Sequence, residues 1–495
     1  MNAKKTFLIL FLTITAVTIV ELYNLTAISL WHDESFSALL IKYNFNEMIA
    51  RIKMDVHPPF YYILLGGWNF FFGNSLFSLR LFSVLFSILA TISIYIFVKQ
   101  AFKNRNLALF SSLLFVLSYF QIQYAMEARM YSLGTFLVII SSYFLLKAIE
   151  TKKWNWWLFY AIATSFGIYT HYFVAFWIFA QGLYLIYTIY QDAKFSIGTW
   201  FKNKNFQFGL SSYILVAVSY IPWIGTFIKQ IAQVQQDYWI PPINTWSIPN
   251  TFAKMTGGEI VDPAKSWYVL VFLMAMIFLA IILFLKKNQV REKWLIIFSL
   301  IIPFLLAVAL SIKRPIYVDR YFIFGFPFYW ILIAGAILLI NNKWAKNFLI
   351  IIAILGFSST FPIRWNKINT GKKPGMAGAS DYLNKEFKSN EKIFAGSSFV
   401  YFTFKYYNQT DTNPRLYAPG HMPHYSGTAL LSSEDIITDF NKETKKDDIV
   451  WMINTTGFGN YQPTVPDNWV KEDEKGFQDA YPHLGWIIIS RYKVK

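Results

Sequence analysis

Long apolar runs separated by short polar stretches dominate the chain. A run of about 17 or more residues, at ~1.5 Å rise per residue, matches the hydrocarbon core of a bilayer. A soluble fold would break such runs with polar positions at amphipathic spacing. The pattern predicts eleven spans, at roughly 6–28, 77–98, 107–123, 133–149, 156–171, 172–190, 210–228, 266–285, 294–311, 321–340 and 347–363. The boundary at 171/172 is soft, because only Thr170-His171 interrupts the apolar run 156–190.

Two inter-span segments are long enough to carry structure. In 29–76, Phe36, Leu39, Leu40, Tyr43, Met48, Ile49 and Ile52 recur at spacings of three and four, so 35–53 reads as one interfacial amphipathic helix. Pro58-Pro59 ends it and starts an apolar helix over 60–72, closed by Gly73-Asn74. These helices should frame a pocket, with Asp33-Glu34 at its entrance and His57 at the hinge. The segment 229–265, with Tyr238-Trp239-Ile240-Pro241-Pro242 and Gly257-Gly258-Glu259, reads equally as a flap over a site or as an interfacial aromatic belt. After Gly371 the texture becomes that of a soluble domain. Helices are expected at 377–387 and 433–442, strands at 392–396, 449–454 and 486–492, and a helix or strand at 399–407. The chain thus divides into a membrane domain, 1–365, and a small α/β domain, 370–495.

Charge orients the spans. Segments assigned to the cytoplasm hold 17 Lys and Arg in 56 residues, against 10 in 106 for those assigned outside. That asymmetry puts the N-terminus inside, and the 29–76 loop and the C-terminal domain outside, on a multi-pass plasma-membrane protein. The formal charge of +17 resides wholly in the membrane region, since 370–495 carries 15 basic and 15 acidic residues. Its origin is topological, with a share available for anionic lipid substrates, and nucleic acid is not an expected partner. With no cysteine, disulfides, thiolate metal sites and Cys nucleophiles are excluded. The N-terminal run lacks a clean small-x-small cleavage signal and reads as an uncleaved anchor.

Ionisable groups near hydrocarbon are costly, so those at the outer span ends are candidates for function. They are Asp33-Glu34, His57 in His57-Pro58-Pro59-Phe60-Tyr61-Tyr62, the turn Glu127-Ala128-Arg129-Met130-Tyr131-Ser132, His171, Lys313-Arg314, and Asp319-Arg320-Tyr321. Together with Arg80-Leu81-Phe82 at the second span, their order and spacing over 6–365 resemble the GT-C glycosyltransferases. More narrowly they resemble bacterial relatives of the dolichyl-phosphate-mannose–protein mannosyltransferases (glycosyltransferase family 39) and of the lipid A aminoarabinose transferases. The resemblance implies a GT-C membrane fold and transfer of a sugar from a polyprenyl-phosphate carrier to a lipid, glycan or protein acceptor. It implies Asp33 as the catalytic base, and Arg129 and Arg320 as ligands of the carrier phosphate. The 370–495 domain carries no such resemblance.

The chemistry agrees. A glycosidase must protonate its leaving alkoxide and so needs two carboxyls. A polyprenyl phosphate leaves as a stable anion, so one base and cations at the phosphate suffice, and a single in-line displacement inverts the anomeric centre. Each residue also has a plainer reading. Asp33-Glu34 could be a helix cap, with Glu34 orienting the acceptor or a cation rather than acting as base. His57 could fix the turn rather than touch substrate. Arg129 could pair with Glu127 or Asp319, Arg320 could pair with Asp319, and His171, like Tyr131, stands at a span end as interface residue or ligand. Asp33, Glu34, Asp55 and His57 could cage a divalent ion. The resembled subfamilies do not generally need one, so no metal or cofactor is expected. A transporter or flippase of lipid-linked sugars is the alternative class. It would place charges mid-span and repeat broken helices in two halves, which this pattern lacks.

Overall fold

Helices form wherever the apolar runs predict them. The computed structural model describes residues 3–23, 25–193, 197–257, 267–287, 290–358, 374–457, 462–480 and 485–495. In chain order come α1 (Ala3–Tyr23), α2 (His32–Leu40), α3 (Phe45–Met54), α4 (Phe60–Phe72), α5 (Leu76–Phe102), α6 (Arg105–Leu117), α7 (Tyr119–Ala125) and α8 (Tyr131–Thr151). Then follow α9 (Trp154–Thr170), α10 (Val174–Ala193), α11 (Ile197–Lys202), α12 (Lys204–Val234), α13 (Ser247–Thr256), α14 (Trp267–Lys287) and α15 (Lys293–Ser311). A 3₁₀ turn, Asp319–Gly325, leads into α16 (Phe326–Leu338), and α17 (Lys343–Ser358) follows. Among the described residues, eight helices are long and apolar enough to cross a membrane, and α6 with α7, bent by 63° at Ser118, forms a broken span or a re-entrant loop that brings the number to nine if it counts as one span. Two more expected spans are helices of 17 and 16 residues, α9 and α17. The end of the second, 359–363, lies outside the described residues, as do Gly258 and Glu259.

The 29–76 loop differs from expectation in one respect. The single helix expected over 35–53 is two, α2 and α3, because the Asn44 side chain accepts from the Glu47 N–H and starts a new helix. Pro59 starts α4 as expected, and Gly73, at φ 75°, closes it in a conformation that favours glycine. The 319–325 turn approaches α8 closely at Gly134, where any Cβ would overlap the Phe324 ring. That contact seats Arg320 beside the outer end of α8.

The C-terminal domain comprises α18 (Gly375–Glu386), β1 (Lys392–Ala395), α19 (Ser398–Tyr407), β2 (Arg415–Tyr417), β3 (Ile436–Ile437), α20 (Phe440–Glu443), β4 (Ile449–Thr455), β5 (Trp469–Asp479) and β6 (Gly485–Val494). Its mixed sheet runs β3-β2-β1-β4-β6-β5, parallel through the first four strands and antiparallel through the last two pairings. The helix expected over 433–442 does not form. Asp435 is drawn to Lys405 and Tyr401, and Ile436-Ile437 pairs with β2, leaving a 3₁₀ turn at Ser433–Asp435 and the short α20.

This domain rests on the 29–76 helices, and one apolar core runs through both, from Leu30, Phe36 and Leu40 to Ile393, Val400 and Tyr401. Polar ties reinforce the seam. Leu30 N–H donates to the Tyr407 hydroxyl (3.0 Å), Arg51 donates to the Ala429 carbonyl (3.0 Å), and the Tyr406 hydroxyl donates to the Asn74 carbonyl (2.8 Å). The His32 ring lies 4.7 Å from the Phe399 ring and contacts the Tyr425 carbonyl through Nε2 at 3.3 Å.

Candidate active site

A cavity of about 1020 Å³ lies where the outer span ends, the 29–76 helices and the C-terminal domain meet. Of the residues singled out in sequence, Asp33, His57, Arg129, Tyr131, His171 and Arg320 all line it. Glu34 does not.

Glu34 is fully buried on the other face of α2, held by a buried arginine from α5. Arg80 Nε donates to Oε1 at 2.8 Å and Nη2 to Oε2 at 2.7 Å, a bidentate pair. The remaining Arg80 N–H groups reach the carbonyls of Leu25 (2.8 Å), Ile28 (2.9 Å) and Ser29 (3.1 Å). The Ala128 N–H adds a third bond to Glu34, at 2.8 Å to Oε1. With every strong donor matched, the pair welds α2 to α5 and to the turn that carries Arg129. Glu34, a candidate catalytic carboxyl by sequence, therefore turns away from the cavity, and the cation it orients is Arg80.

Asp33, one residue earlier, faces the cavity with its side chain 24% exposed. Its Oδ2 lies 4.0 Å from Arg129 Nη2 and 3.9 Å from Arg320 Nη1, within Coulombic reach but beyond hydrogen-bond distance. Burial pushes its carboxyl up, but Arg129 and Arg320 outweigh that and hold it below the usual carboxylate range.

Arg129 is buried, and its guanidinium is aimed by four neighbours. Nη1 donates to the Asp33 carbonyl (3.1 Å), the Ser37 hydroxyl (3.2 Å) and the Tyr62 hydroxyl (3.4 Å), and Nη2 meets His57 Nε2 at 3.2 Å. An arginine can only donate, so His57 Nε2 accepts. The proton then sits on Nδ1 and is donated to Asp55 Oδ2 at 2.8 Å. His57 thus links the Pro58-Pro59 turn to Arg129, with Asp55 fixing its tautomer. The plainer alternative for Arg129, an ion pair with Glu127 or Asp319, does not form among the described residues, and Asp319 pairs with Lys254 at 2.5 Å. Arg320 lies under Trp239 and Trp31, its guanidinium carbon 5.2 Å and 5.8 Å from their ring centroids. Beside it, His171 packs on the Tyr321 ring at 4.7 Å and near Tyr131 at 6.5 Å.

The segment between α12 and α13 covers one side, with Tyr238, Trp239 and Ile240 in the lining. Lys313 and Arg314 stand exposed at the rim. Among the described residues, no group of three or more His, Asp or Glu is arranged to hold a metal ion. Two contributions are not visible in the sequence: Arg80 as the partner of Glu34, and Phe399, His424 and Tyr425, which the C-terminal domain adds to the wall.

A family model described as dolichyl-phosphate-mannose-protein mannosyltransferase matches residues 56–223. That stretch includes His57, Arg80, Arg129, Tyr131 and His171 and stops short of Asp33 and Arg320. Among solved structures, ArnT from Cupriavidus metallidurans in the apo state superposes with a TM-score of 0.63 at 12% identity, over 99% of this chain and 98% of that one. The same protein bound to undecaprenyl phosphate gives 0.61 at 12% identity, over 97% of each chain. At that identity the likeness establishes the fold, C-terminal domain included. No curated protein matches the chain. The chain thus shares the fold of ArnT over nearly its whole length and is similar to the dolichyl-phosphate-mannose-protein mannosyltransferase family over residues 56–223.

Proposed function

We propose that this chain is an inverting glycosyltransferase that moves a sugar from a polyprenyl-phosphate carrier to a hydroxyl-bearing lipid, glycan or protein. The reaction would run on the outer face of the cytoplasmic membrane, with the N-terminus inside and the C-terminal domain outside. The observation that carries this reading is the pairing of Asp33, ionised and hydrogen-bonded to neither neighbouring cation, with two guanidinium groups about 4 Å away in a common cavity. The ArnT structure with undecaprenyl phosphate adds support, since a protein of this fold takes such a carrier.

In this reading Arg129 and Arg320 grip the carrier phosphate, whose oxygens suit the planar fork of a guanidinium. The acceptor oxygen attacks the anomeric carbon from the face opposite the phosphate. The bond from that carbon to the phosphate oxygen breaks, its electron pair leaves with the phosphate, and the acceptor proton passes to Asp33. The two arginines stabilise the charge gathering on the leaving phosphate, and no acid is needed on that side. His57 and Tyr62 aim Arg129, Tyr131 and His171 shape the wall beside Arg320, and the Glu34–Arg80 pair fixes α2 so that Asp33 keeps its distance from both cations.

Replacing Asp33 by Asn tests the assignment directly. The variant should fold and bind undecaprenyl phosphate as the wild type does, while transfer falls at least ~100-fold. Near-normal transfer by Asp33→Asn would remove the base and the mechanism with it.

A further inference from the structure

One carboxyl of the cavity has no part in the mechanism above. Glu127 lies in the turn between α7 and α8, lines the cavity, and has its Oε2 buried without a hydrogen-bond partner. The other acids nearby are provided for: Glu34 by Arg80 and the Ala128 N–H, Asp55 by His57, and Asp33 by charge from two arginines. Two cations face Glu127. Arg80 spends its donors on Glu34 and three carbonyls, and Arg320 also serves Asp33. The anions facing it are Glu34 and Asp33, both on α2. An ionised Glu127 would thus add a second negative charge beside Asp33 where a phosphate must enter. A protonated one would instead supply an O–H donor with nothing yet to donate to.

We propose that Glu127 is a donor-site residue that works as a neutral acid: it donates a hydrogen bond to the carrier phosphate, and phosphate binding is coupled to retention of one proton on its carboxyl. This rests on the polyprenyl-phosphate reading and extends it, because it makes carrier affinity depend on proton concentration outside the membrane. Its electrostatic setting agrees. Burial first, then Glu34 and Asp33, push the Glu127 carboxyl up to about 8 against the pull of Arg320 and Arg80. The sign follows. The bound phosphate favours the protonated form, so affinity is full below about pH 8 and falls as pH rises above it, approaching tenfold per unit. A phosphate monoester has lost its second proton by then, its second pKa being about 6, so its own ionisation does not contribute.

The test is binding of undecaprenyl phosphate to the full-length protein in detergent or nanodiscs between about pH 7 and pH 9.5. Wild type should weaken approaching tenfold per unit above about pH 8, whereas Glu127→Gln, a neutral isostere that still donates, should bind within about threefold of wild type at pH 7 and show no such slope. Glu127→Ala should be equally flat but about tenfold weaker at pH 7. A second measurement needs no variant: calorimetry of wild type at about pH 9 in buffers of different ionisation enthalpy should report close to one proton taken up per phosphate bound. A pH-independent wild type, the same slope in Glu127→Gln, or no proton uptake overturns the proposal while leaving the donor assignment intact. Wild type that fails to bind undecaprenyl phosphate at any pH overturns both.

Discussion

The two faces of α2 put carboxylates one residue apart into opposite situations. On one face Glu34 makes four hydrogen bonds, to Arg80 twice, to the Ala128 N–H and, at 3.4 Å, to the Trp31 N–H, and it is closed to the cavity. On the other, Asp33 has cations on two sides and a hydrogen bond to neither. Both need compensating charge to survive burial. They differ in what is left over, because Glu34 has spent its lone pairs on framework and Asp33 keeps its own in the cavity, bonded to neither cation. Adjacent acids that look interchangeable in sequence are thus divided between framework and cavity wall by the direction each leaves the helix.

The largest effect expected from breaking this comparison falls on the framework side. Glu34→Gln retains shape but leaves Arg80 as an uncompensated buried charge, a loss of about 3–5 kcal/mol. Arg80→Ala does the same to Glu34 and strips the Leu25, Ile28 and Ser29 carbonyls of their donor. Thermal melts in detergent should drop by several degrees for both variants, with activity lost alongside folded protein, while Asp33→Asn melts close to wild type and loses turnover alone. Equal melting of Glu34→Gln and wild type would show that Glu34 is not the scaffold described here.

A smaller effect separates the charge of Arg129 from its shape. Arg129→Lys preserves a cation near Asp33 but gives up the fork that meets Ser37, Tyr62 and His57, so use of the polyprenyl-phosphate donor should weaken about tenfold. Arg129→Gln removes the charge as well. Burial then raises the Asp33 carboxyl with only Arg320 as the close opposing cation. Wild type, whose Asp33 is held below the usual range, should lose no turnover to protonation of Asp33 down to about pH 5. In Arg129→Gln an acid limb should move up into that window, whereas Arg129→Lys should resemble wild type. The same profile in all three would mean that Arg129 does not set the charge state of the base.

The sequence exposes those features that depend on one local quantity. Span positions follow from the length of apolar runs, and the α4 start follows from Pro58-Pro59. Asp33, His57, Arg129 and Arg320 are visible because ionisable groups at span ends are expensive. Features decided by a distant partner are not visible. The Glu34–Arg80 pair joins residues 46 apart, and nothing local distinguishes Glu34 from Asp33. The break at Asn44 is masked because the apolar spacing continues across it, from Leu39 and Leu40 to Met48 and Ile52. At 433–442 a helix start signal loses to strand pairing by Ile436-Ile437. Strand β5 escapes because its middle, Lys471–Gly476, is charged and exposed along a sheet edge. The domain wall at Phe399, His424 and Tyr425 joins the cavity only through tertiary docking.

That docking yields the smallest effect expected, and it tests whether the C-terminal domain takes part in aiming Asp33. The Tyr407 hydroxyl accepts the Leu30 N–H at 3.0 Å, just before α2 begins, and nearby His32 packs its ring on Phe399. Tyr407→Phe leaves the ring's packing in place but leaves the buried Leu30 N–H without its acceptor, a cost of about 1–3 kcal/mol. The Glu34–Arg80 pair still anchors the first turn of α2, so the helix should stay in place and the loss should appear mainly as a modest drop in melting temperature. Turnover should fall no more than a few-fold, and undecaprenyl phosphate binding should hold, since Arg129 and Arg320 are seated by other elements. A loss of turnover approaching that of Asp33→Asn, with melting unchanged, would instead mean that the seam with the C-terminal domain, rather than the buried ion pair, sets where Asp33 points.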